Sequence, residues 1–176
     1  MADEGSDGAR TDPVAGTVRD YYEALRRGEP LYPYFAESPA TAKVGIGETL
    51  LGYGATAEAL REQTRVTEDW TVESHRLRAG REGDLGWFSD LVWMDWRRGG
   101  EELAFETRWT GALARREAEW LFVELHVSVA RDPGSGEAAG FGTNLPGEDP
   151  GHEGDGPEAD GDAPGPDDPP ASGSPE

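Results

Sequence analysis

The chain has 176 residues, the usual size of one domain, and no cysteine, which excludes a disulfide framework and a thiolate metal site. Its formal net charge is −20, and a chain this acidic repels nucleic acid and anionic membranes. We therefore expect neither nucleic acid nor a membrane as a partner. The N-terminal residues form no basic start with an apolar run, and no apolar stretch reaches the roughly 20 residues that span a bilayer. We expect a cytoplasmic protein.

The charge is unevenly distributed along the chain. Residues 131–176 hold 12 acidic residues and one arginine, and the whole chain has 15 arginines but one lysine, Lys43. An acid excess with almost no lysine is typical of a salt-rich cytoplasm, where acidic surfaces keep proteins hydrated and apart. We therefore predict a halophilic protein. The alternative is a GC-rich genome that favours arginine, with an acidic tail that enlarges the total.

Two helices are predicted in the first half of the chain. Asp12 and Pro13 form a helix start, with Asp at the N-cap and Pro at the first helical position, and Gly28 is the expected stop. Apolar residues recur between them at helical spacing: Val14, Val18, Tyr21, Tyr22 and Leu25. A second helix is predicted over residues 57–65, with Thr56 as its cap.

Strand patterns dominate the second half. Runs at residues 70–77, 85–96, 103–113 and 119–129 have strand-like composition, and glycines at 80, 83, 99 and 100 mark turns between the first three. Residues 42–46 add a possible short strand. Helices followed by a four-stranded meander predict an α+β fold, in which helices cover an antiparallel sheet.

The last two strands suggest a sheet that is covered on both faces. By strict alternation, one face of the final strand carries Leu121, Val123, Leu125, Val127 and Val129. The other face carries two aromatic and three polar residues: Trp120, Phe122, Glu124, His126 and Ser128. If this second face were exposed to solvent, its residues would be uniformly polar. We therefore expect helices on one face and a partner subunit on the other.

Both ends of the chain are predicted to be disordered. Residues 131–176 contain 20 glycines and prolines and almost no large apolar side chains, so burial cannot offset the entropy of ordering them. The acidic residues 1–12 are expected to behave likewise, which leaves one domain at residues 13–130. The alternative for the tail is a binding segment for a basic partner.

Five segments occur in an order that suggests a family: DYY at 20–22, Gly52 with LR at 60–61, GWF at 86–88, ETRWT at 106–110 and WLFVELHVS at 120–128. Together they resemble a SnoaL-like domain of the nuclear transport factor 2-like superfamily. The subgroup that they resemble most is similar to the association domain of calcium/calmodulin-dependent kinase. The resemblance covers about residues 14–130, and its last strand is the most specific part.

The resemblance implies a curved antiparallel sheet wrapped around helices as a cone, and a homodimer formed through the convex face of the sheet. It also implies a pocket inside the cone. Proteins of this superfamily use that pocket as isomerases, cyclases, hydrolases, ligand binders or assembly domains, so the family alone does not decide the function.

Arg108 is the first candidate for the pocket. In the resembling kinase domains the matching arginine points into the pocket with two others, whose positions here correspond to about Ser89 and Val127. The loss of two charges weakens strong anion binding, but one guanidinium can still hold a carboxylate ligand through two hydrogen bonds. We predict that Arg108 binds a small molecule, and a carboxylate is the class that suits it. The alternative is a structural ion pair with Glu106 or with a carboxylate of another strand.

Aromatic residues are the other predicted ligand contacts: Trp87, Tyr22 and Trp93 offer apolar faces with polar tips. Packing in the core or in the dimer interface is the alternative for each. No cofactor motif is present, because Gly45-Ile46-Gly47 lacks the third glycine of a dinucleotide fingerprint and is interpreted as a turn. No histidine pair has metal-ligand spacing, so we predict no cofactor and no metal site.

Possible general bases are Asp90, Asp95, Glu124 and His126, but the sequence shows no carboxylate pair and no Ser-His-Asp order. If Val127 faces the cone, His126 faces away from it. Enzyme status therefore stays open. We rank a non-catalytic small-molecule-binding domain first, an acid/base enzyme acting on a carbonyl compound second, and an assembly domain with a filled cone third. An open pocket that lacks a carboxylate of strongly raised pKa favours the first.

Overall fold

A computed structural model describes residues 12–131, 134–136 and 138–139 of the chain. In chain order its elements are helix α1 (Pro13–Arg27), a 3-10 turn (Tyr32–Tyr34), strands β1 (Ala42–Val44) and β2 (Thr49–Leu51), helix α2 (Tyr53–Val66), and strands β3 (Thr67–Ser74), β4 (Arg78–Glu82), β5 (Leu85–Arg98), β6 (Glu101–Arg116), β7 (Glu119–Arg131) and β8 (Ala138–Ala139). The α+β class predicted from the sequence is confirmed.

Helix α1 begins and ends where its sequence predicts. The Asp12 carboxylate accepts hydrogen bonds from the backbone N–H groups of Val14, at 2.9 Å, and Ala15, at 3.3 Å, which satisfies two of the free donors of the first turn. Gly28 ends the helix with a left-handed φ of 64°. The apolar stripe of the helix is buried against the sheet.

Helix α2 begins at Tyr53, so the prediction of Thr56 as its cap was wrong. Gly52 holds the cap position, and Thr56 lies inside the first turn. The Thr56 hydroxyl donates to the carbonyl of Gly52 at 3.0 Å, a bond back to the preceding turn that a helical threonine makes readily.

One curved, unclosed sheet contains the strands in the order β2-β1-β7-β6-β5-β3, and β4 and β8 pair at its margins with β5 and β7. Neighbours are antiparallel except for β1 and β7, where Lys43 lies opposite Leu125 in parallel register. The predicted four-stranded meander missed β4, which pairs with the first half of β5 while β3 pairs with the second half. Gly80, predicted to mark a turn, lies inside β4 opposite Trp87.

A bulge in β7 changes which side chains face inward. Leu113 pairs with Phe122 and Ala112 pairs with Glu124, so Val123 is an extra residue without a partner in the register. As a result Trp120 and Phe122 share the buried face with Leu125 and Val127. The strict alternation predicted from the sequence, which placed Phe122 opposite Leu125, was wrong at this point.

The core lies between α1 and the inner face of the sheet, where Tyr21, Phe35, Phe122 and Leu125 are fully buried. Strand β7 extends to Arg131, one residue past the predicted domain boundary, and β8 pairs with its last two residues. The remaining predictions of disorder, at residues 1–11 and beyond 139, fall outside the described residues. Neither described helix is long and apolar enough to cross a membrane.

Candidate functional site

A cavity of about 380 Å³ opens on the inner side of the sheet. Its walls come from the inner faces of β5, β6 and β7, from the second half of α2 and from the turn between β1 and β2. The side chains that matter most for its chemistry are Tyr21, Lys43, Glu48, Trp70, Met94, Trp96, Leu103, Trp109 and Val127. Two further grooves, of about 630 and 660 Å³, lie near the β6–β7 turn on the outside of the molecule.

Tryptophans form the apolar wall of the cavity. Trp70 and Trp96 stack with their ring centroids 4.6 Å apart and their planes 13° apart. Trp109 is oriented by a 2.8 Å hydrogen bond from its indole N–H to the Thr107 hydroxyl, which in turn donates to the carbonyl of Val92 at 2.7 Å. These fixed rings can pack on a flat apolar ligand without first being ordered.

Tyr21 is a further lining residue of the same cavity. Its ring makes edge-on contacts with Phe122, Tyr34 and Trp109 at centroid distances of 5.3, 5.5 and 6.2 Å. Burial, and then the negative charge of Glu48, raise the pKa of Tyr21 well above its ordinary value. The hydroxyl therefore stays protonated and can donate a hydrogen bond.

Lys43 brings a positive charge to the cavity. It lies in β1 on the inner face, its residue is 6% exposed, and its Nζ forms an ion pair with the Glu48 carboxylate. Glu48 follows in the β1–β2 turn, where its side chain is 39% exposed. The cavity thus combines aromatic walls with one buried ammonium group, and burial of such a charge requires an anion beside it.

Asp90 is the buried carboxyl group of the interior, but it lies outside the cavity lining in the described part of the chain. It accepts hydrogen bonds from the Tyr22 hydroxyl at 3.2 Å, from the backbone N–H of Arg76 at 2.9 Å and from Ser74. Burial raises the pKa of Asp90, and these hydrogen bonds act in the opposite direction. The ring of Tyr22 contacts the ring of Trp109, a cavity residue, with centroids 5.2 Å apart.

The four residues predicted to bind a ligand do not lie together. Tyr22 is buried on α1, where its hydroxyl donates to Asp90, and it is not among the residues that line the cavity. Arg108 is exposed on the outer face of β6, and its guanidinium reaches the carbonyl of Val129 at 3.4 Å. Trp87 and Trp93 lie on the outer face of β5. The expectation that Arg108 marks the polar end of the cavity is corrected, because residues of its parity face outward along β6.

The other candidate bases also lie on the outer side. His126 is exposed and faces away from Val127, as the alternation at that position predicts. Asp95 accepts a hydrogen bond from the indole N–H of Trp93 at 3.1 Å, and Glu124 is exposed. Reasoning from the sequence missed Lys43 and Glu48. The available signal was that the chain's one lysine stands in the middle of a short predicted strand.

The chain matches the family model of the SnoaL-like domain over residues 14–132. Among solved structures, a nuclear transport factor 2-like protein of unknown function from Pseudomonas putida KT2440 is 16% identical, with a TM-score of 0.63 over 77% of this chain and 96% of that one. A proposed scytalone dehydratase from Novosphingobium aromaticivorans is 12% identical, with a TM-score of 0.60 over 73% and 89% of the two chains.

A proposed calcium/calmodulin-dependent protein kinase type II association domain from Thiobacillus denitrificans is 18% identical, with a TM-score of 0.53 over 66% of this chain and 93% of that one. No curated protein matches the chain. At these identities the structures show the fold, and the family model covers about two thirds of the sequence. The chain belongs to the SnoaL-like domain family, and its fold is similar to that of nuclear transport factor 2-like proteins.

Proposed function

We propose that the protein is a small-molecule-binding domain whose ligand occupies the cavity between the sheet and α2, without a catalytic step. The observation that carries the proposal is the cavity itself. It is open and lined by Trp70, Trp96 and Trp109, and its volume of about 380 Å³ falls in the range of sites for small organic molecules. An assembly domain with a filled cone is less favoured, since Trp87 and Trp93 lie on the outer face and do not fill the cavity.

The distribution of ionisable groups supports binding over catalysis. An acid/base enzyme needs a carboxyl group of raised pKa that reaches the substrate. Here the pKa of Asp90 is raised, but four groups donate hydrogen bonds to it and it is not among the residues that line the cavity. Glu62, a carboxylate on the cavity rim, has a lowered pKa because Arg65 donates a hydrogen bond to it.

The proposal is tested by a thermal-shift screen of small carboxylates and cyclic ketones against the purified protein. Saturation with a ligand of the folded state should raise the melting temperature by several degrees, since a ligand at 100 times its Kd adds about 2.7 kcal/mol. A screen in which no compound raises the melting temperature would count against the binding role.

A matched pair of variants locates the binding site. Leu103 lines the cavity, while its neighbour Ala104 is exposed on the opposite face of β6. Leu103→Trp should fill part of the cavity and remove the thermal shift given by the hits. Ala104→Trp adds the same ring outside and should leave the shift unchanged. Equal responses of the two variants would place the ligand elsewhere.

The second candidate is an acid/base enzyme, and the Tyr22–Asp90 pair is the observation that favours it. A hydroxyl bonded to a buried carboxyl group of raised pKa is a plausible proton relay, and one similar structure carries the name of a proposed dehydratase. The test is proton–deuterium exchange next to the carbonyl group of each cyclic ketone hit, followed by NMR in D₂O. Exchange that the parent accelerates and Asp90→Asn does not would favour the enzyme.

We further propose a homodimer formed through the outer face of the sheet, where Arg108 would face the partner subunit. In support, Trp87 is 51% exposed there and Leu91, Trp93 and Leu121 are half-buried neighbours of the same face. Light scattering should give the mass of a dimer for the parent and of a monomer for Trp87→Glu. Leu51→Glu, at a 72% exposed leucine on edge strand β2, is the control and should stay dimeric. A monomeric parent would contradict this proposal.

A further inference from the structure

The two side chains of the Lys43–Glu48 ion pair differ in their exposure to water. The Lys43 side chain is 7% exposed, whereas the Glu48 side chain is 39% exposed. Among the described residues, Glu48 provides the one carboxylate within ion-pair distance of this ammonium group. Lys43 therefore requires an anion at its position, but Glu48 can be hydrated without Lys43.

The path of the β1–β2 turn explains how Glu48 reaches back to Lys43. The backbone N–H of Gly45 donates to the carbonyl of Glu48 at 2.9 Å, which closes the turn. A Cβ atom at Gly45 would lie 2.8 Å from Cγ and 3.0 Å from Oε1 of Glu48. The Glu48 side chain thus crosses directly over Gly45, and only a glycine leaves room for it there.

The order of strands in the sheet separates the polar and aromatic parts of the cavity. Lys43 lies on β1, near one edge, and Trp70 lies on β3, at the other edge. The inner faces of β7, β6 and β5 lie between these strands and supply Val127, Trp109 and Met94 to the cavity. A ligand that spans the cavity would therefore place a charged group at Lys43 and a flat apolar body toward the stack of Trp70 and Trp96.

We propose that the cavity binds an aromatic carboxylate, and that the ligand's carboxylate takes the place of Glu48 beside Lys43. This inference rests on the proposed binding function and names its ligand class. Glu48 then acts as an internal counterion that balances Lys43 while the cavity is empty. Tyr21 lines the same cavity, and its hydroxyl is a second donor for the incoming carboxylate.

Replacement of Glu48 by the ligand's carboxylate is favourable because the ligand makes contacts that Glu48 does not. Glu48 moves from a partly exposed position into water, where its charge is well solvated. The ligand's carboxylate keeps the charge-assisted hydrogen bond with Lys43, and its aromatic body additionally removes apolar surface from water against the tryptophans. A neutral compound of the same shape gains only the second contribution.

The test compares 2-naphthoate with 2-naphthamide by isothermal titration of the full chain. The parent should bind the carboxylate at least about tenfold more tightly than the amide. Glu48→Gln removes the competing charge and should tighten 2-naphthoate binding by about threefold or more, while binding of the amide stays the same. Lys43→Met should abolish the preference for the carboxylate.

Two glycine variants test the displacement without any change of charge. Gly45→Ala should push the Glu48 side chain away from Lys43, because the new Cβ atom meets the flexible end of that side chain. It should therefore tighten 2-naphthoate binding in the same direction as Glu48→Gln. Gly54→Ala, in the first turn of α2, is the control, since Gly54 does not line the cavity and its Cβ atom would meet no heavy atom within 4 Å.

The outcomes separate this inference from the proposed function. Equal affinities of the parent for the carboxylate and the amide, or no gain with both Glu48→Gln and Gly45→Ala, would overturn the ligand class while leaving a binding cavity. No binding of either compound, together with an empty thermal-shift screen, would overturn both. If Lys43→Met does not fold, the two glycine variants and Glu48→Gln still decide the question.

Discussion

Asp90 and Lys43 are both buried, but they are balanced in different ways. Asp90 accepts hydrogen bonds from Tyr22 on α1, from Ser74 at the end of β3, from Arg76 between β3 and β4, and from Leu91 on β5. These hydrogen bonds connect helix α1 to strands β3 and β5 and to the bend between β3 and β4. Lys43 has one exposed partner, which suits a group that exchanges its counterion.

The raised pKa of Asp90 predicts how its contribution to stability changes with pH. The carboxyl group binds its proton more tightly in the folded chain than in the unfolded chain, where the ordinary value is 3.8. Its contribution to the free energy of unfolding therefore falls as pH rises from 3.8 through the raised pKa, and is constant above it. Asp90→Asn has no such titration.

We therefore expect Asp90→Asn to gain stability relative to the parent as pH rises. Urea unfolding of both proteins between about pH 4 and pH 8 measures the difference in free energy of unfolding at each pH. Other carboxylates titrate in both proteins and cancel in this difference. A difference that does not change with pH would contradict a raised pKa at Asp90.

Arg108 gives a prediction that follows from its exposure. It lies on the outer face and makes one long hydrogen bond, at 3.4 Å, to the carbonyl of Val129. Arg108→Met should therefore change the free energy of unfolding of the monomer by less than about 0.5 kcal/mol, and it should leave the affinity for cavity ligands unchanged. Denaturant unfolding and the thermal-shift hits check both. A tenfold loss of carboxylate affinity in this variant would restore Arg108 to the binding site.

At the scale of elements, the sequence predicts those features that depend on local chemistry. Asp12, Pro13 and Gly28 bound α1 because capping and left-handed backbone are properties of single residues. The long strands follow from their composition. The inner face of β6, from Phe105 to Leu113, follows from its alternation, because β6 itself contains no extra residue and pairs with β5 in unbroken register.

The parts of the site that were missed depend on pairing between distant segments. The bulge at Val123 appears only when β7 is aligned with β6, and it is what turns Phe122 inward. Lys43 reaches the cavity because β1 pairs in parallel with β7, where Lys43 lies opposite Leu125, which is far along the chain. Strand register cannot be derived from local sequence patterns. The sequence therefore pointed to Arg108, and not to Lys43, as the charged residue of the cavity.

Two glycines of different elements should respond in opposite directions to the same substitution. A Cβ atom at Gly111, inside β6, would lie 2.6 Å from the carbonyl oxygen of Glu124 and 2.6 Å from the ring of Phe88. At Gly16, inside α1, it would meet no heavy atom within 4 Å. Gly111→Ala should destabilise the protein by about 2–3 kcal/mol, because strand β7 or Phe88 must move.

Gly16→Ala should stabilise the protein by about 0.5–1 kcal/mol, since alanine loses less backbone entropy in a helix. Urea unfolding at one pH measures both variants. Similar effects of the two substitutions would contradict the close packing of β6 on β7 at Gly111.

For the molecule as a whole, the charge of −20 predicts a response to salt. Screening shortens the reach of charge repulsion from about 30 Å at 0.01 M to about 3 Å at 1 M. The urea midpoint should therefore rise between about 0.1 M and 2 M KCl, more than it rises for a non-acidic control protein. Equal midpoints would contradict the halophilic interpretation, which stays a prediction, as does the cytoplasmic location.

A crystal structure with the tightest compound from the thermal-shift screen would show the ligand's position itself. The proposed site requires density for the ligand inside the cavity, bounded by Trp70, Trp96 and Trp109, with its charged group beside Lys43 and the Glu48 side chain turned into solvent. Density on the outer face beside Arg108, or a cavity closed by rearranged side chains, would contradict it.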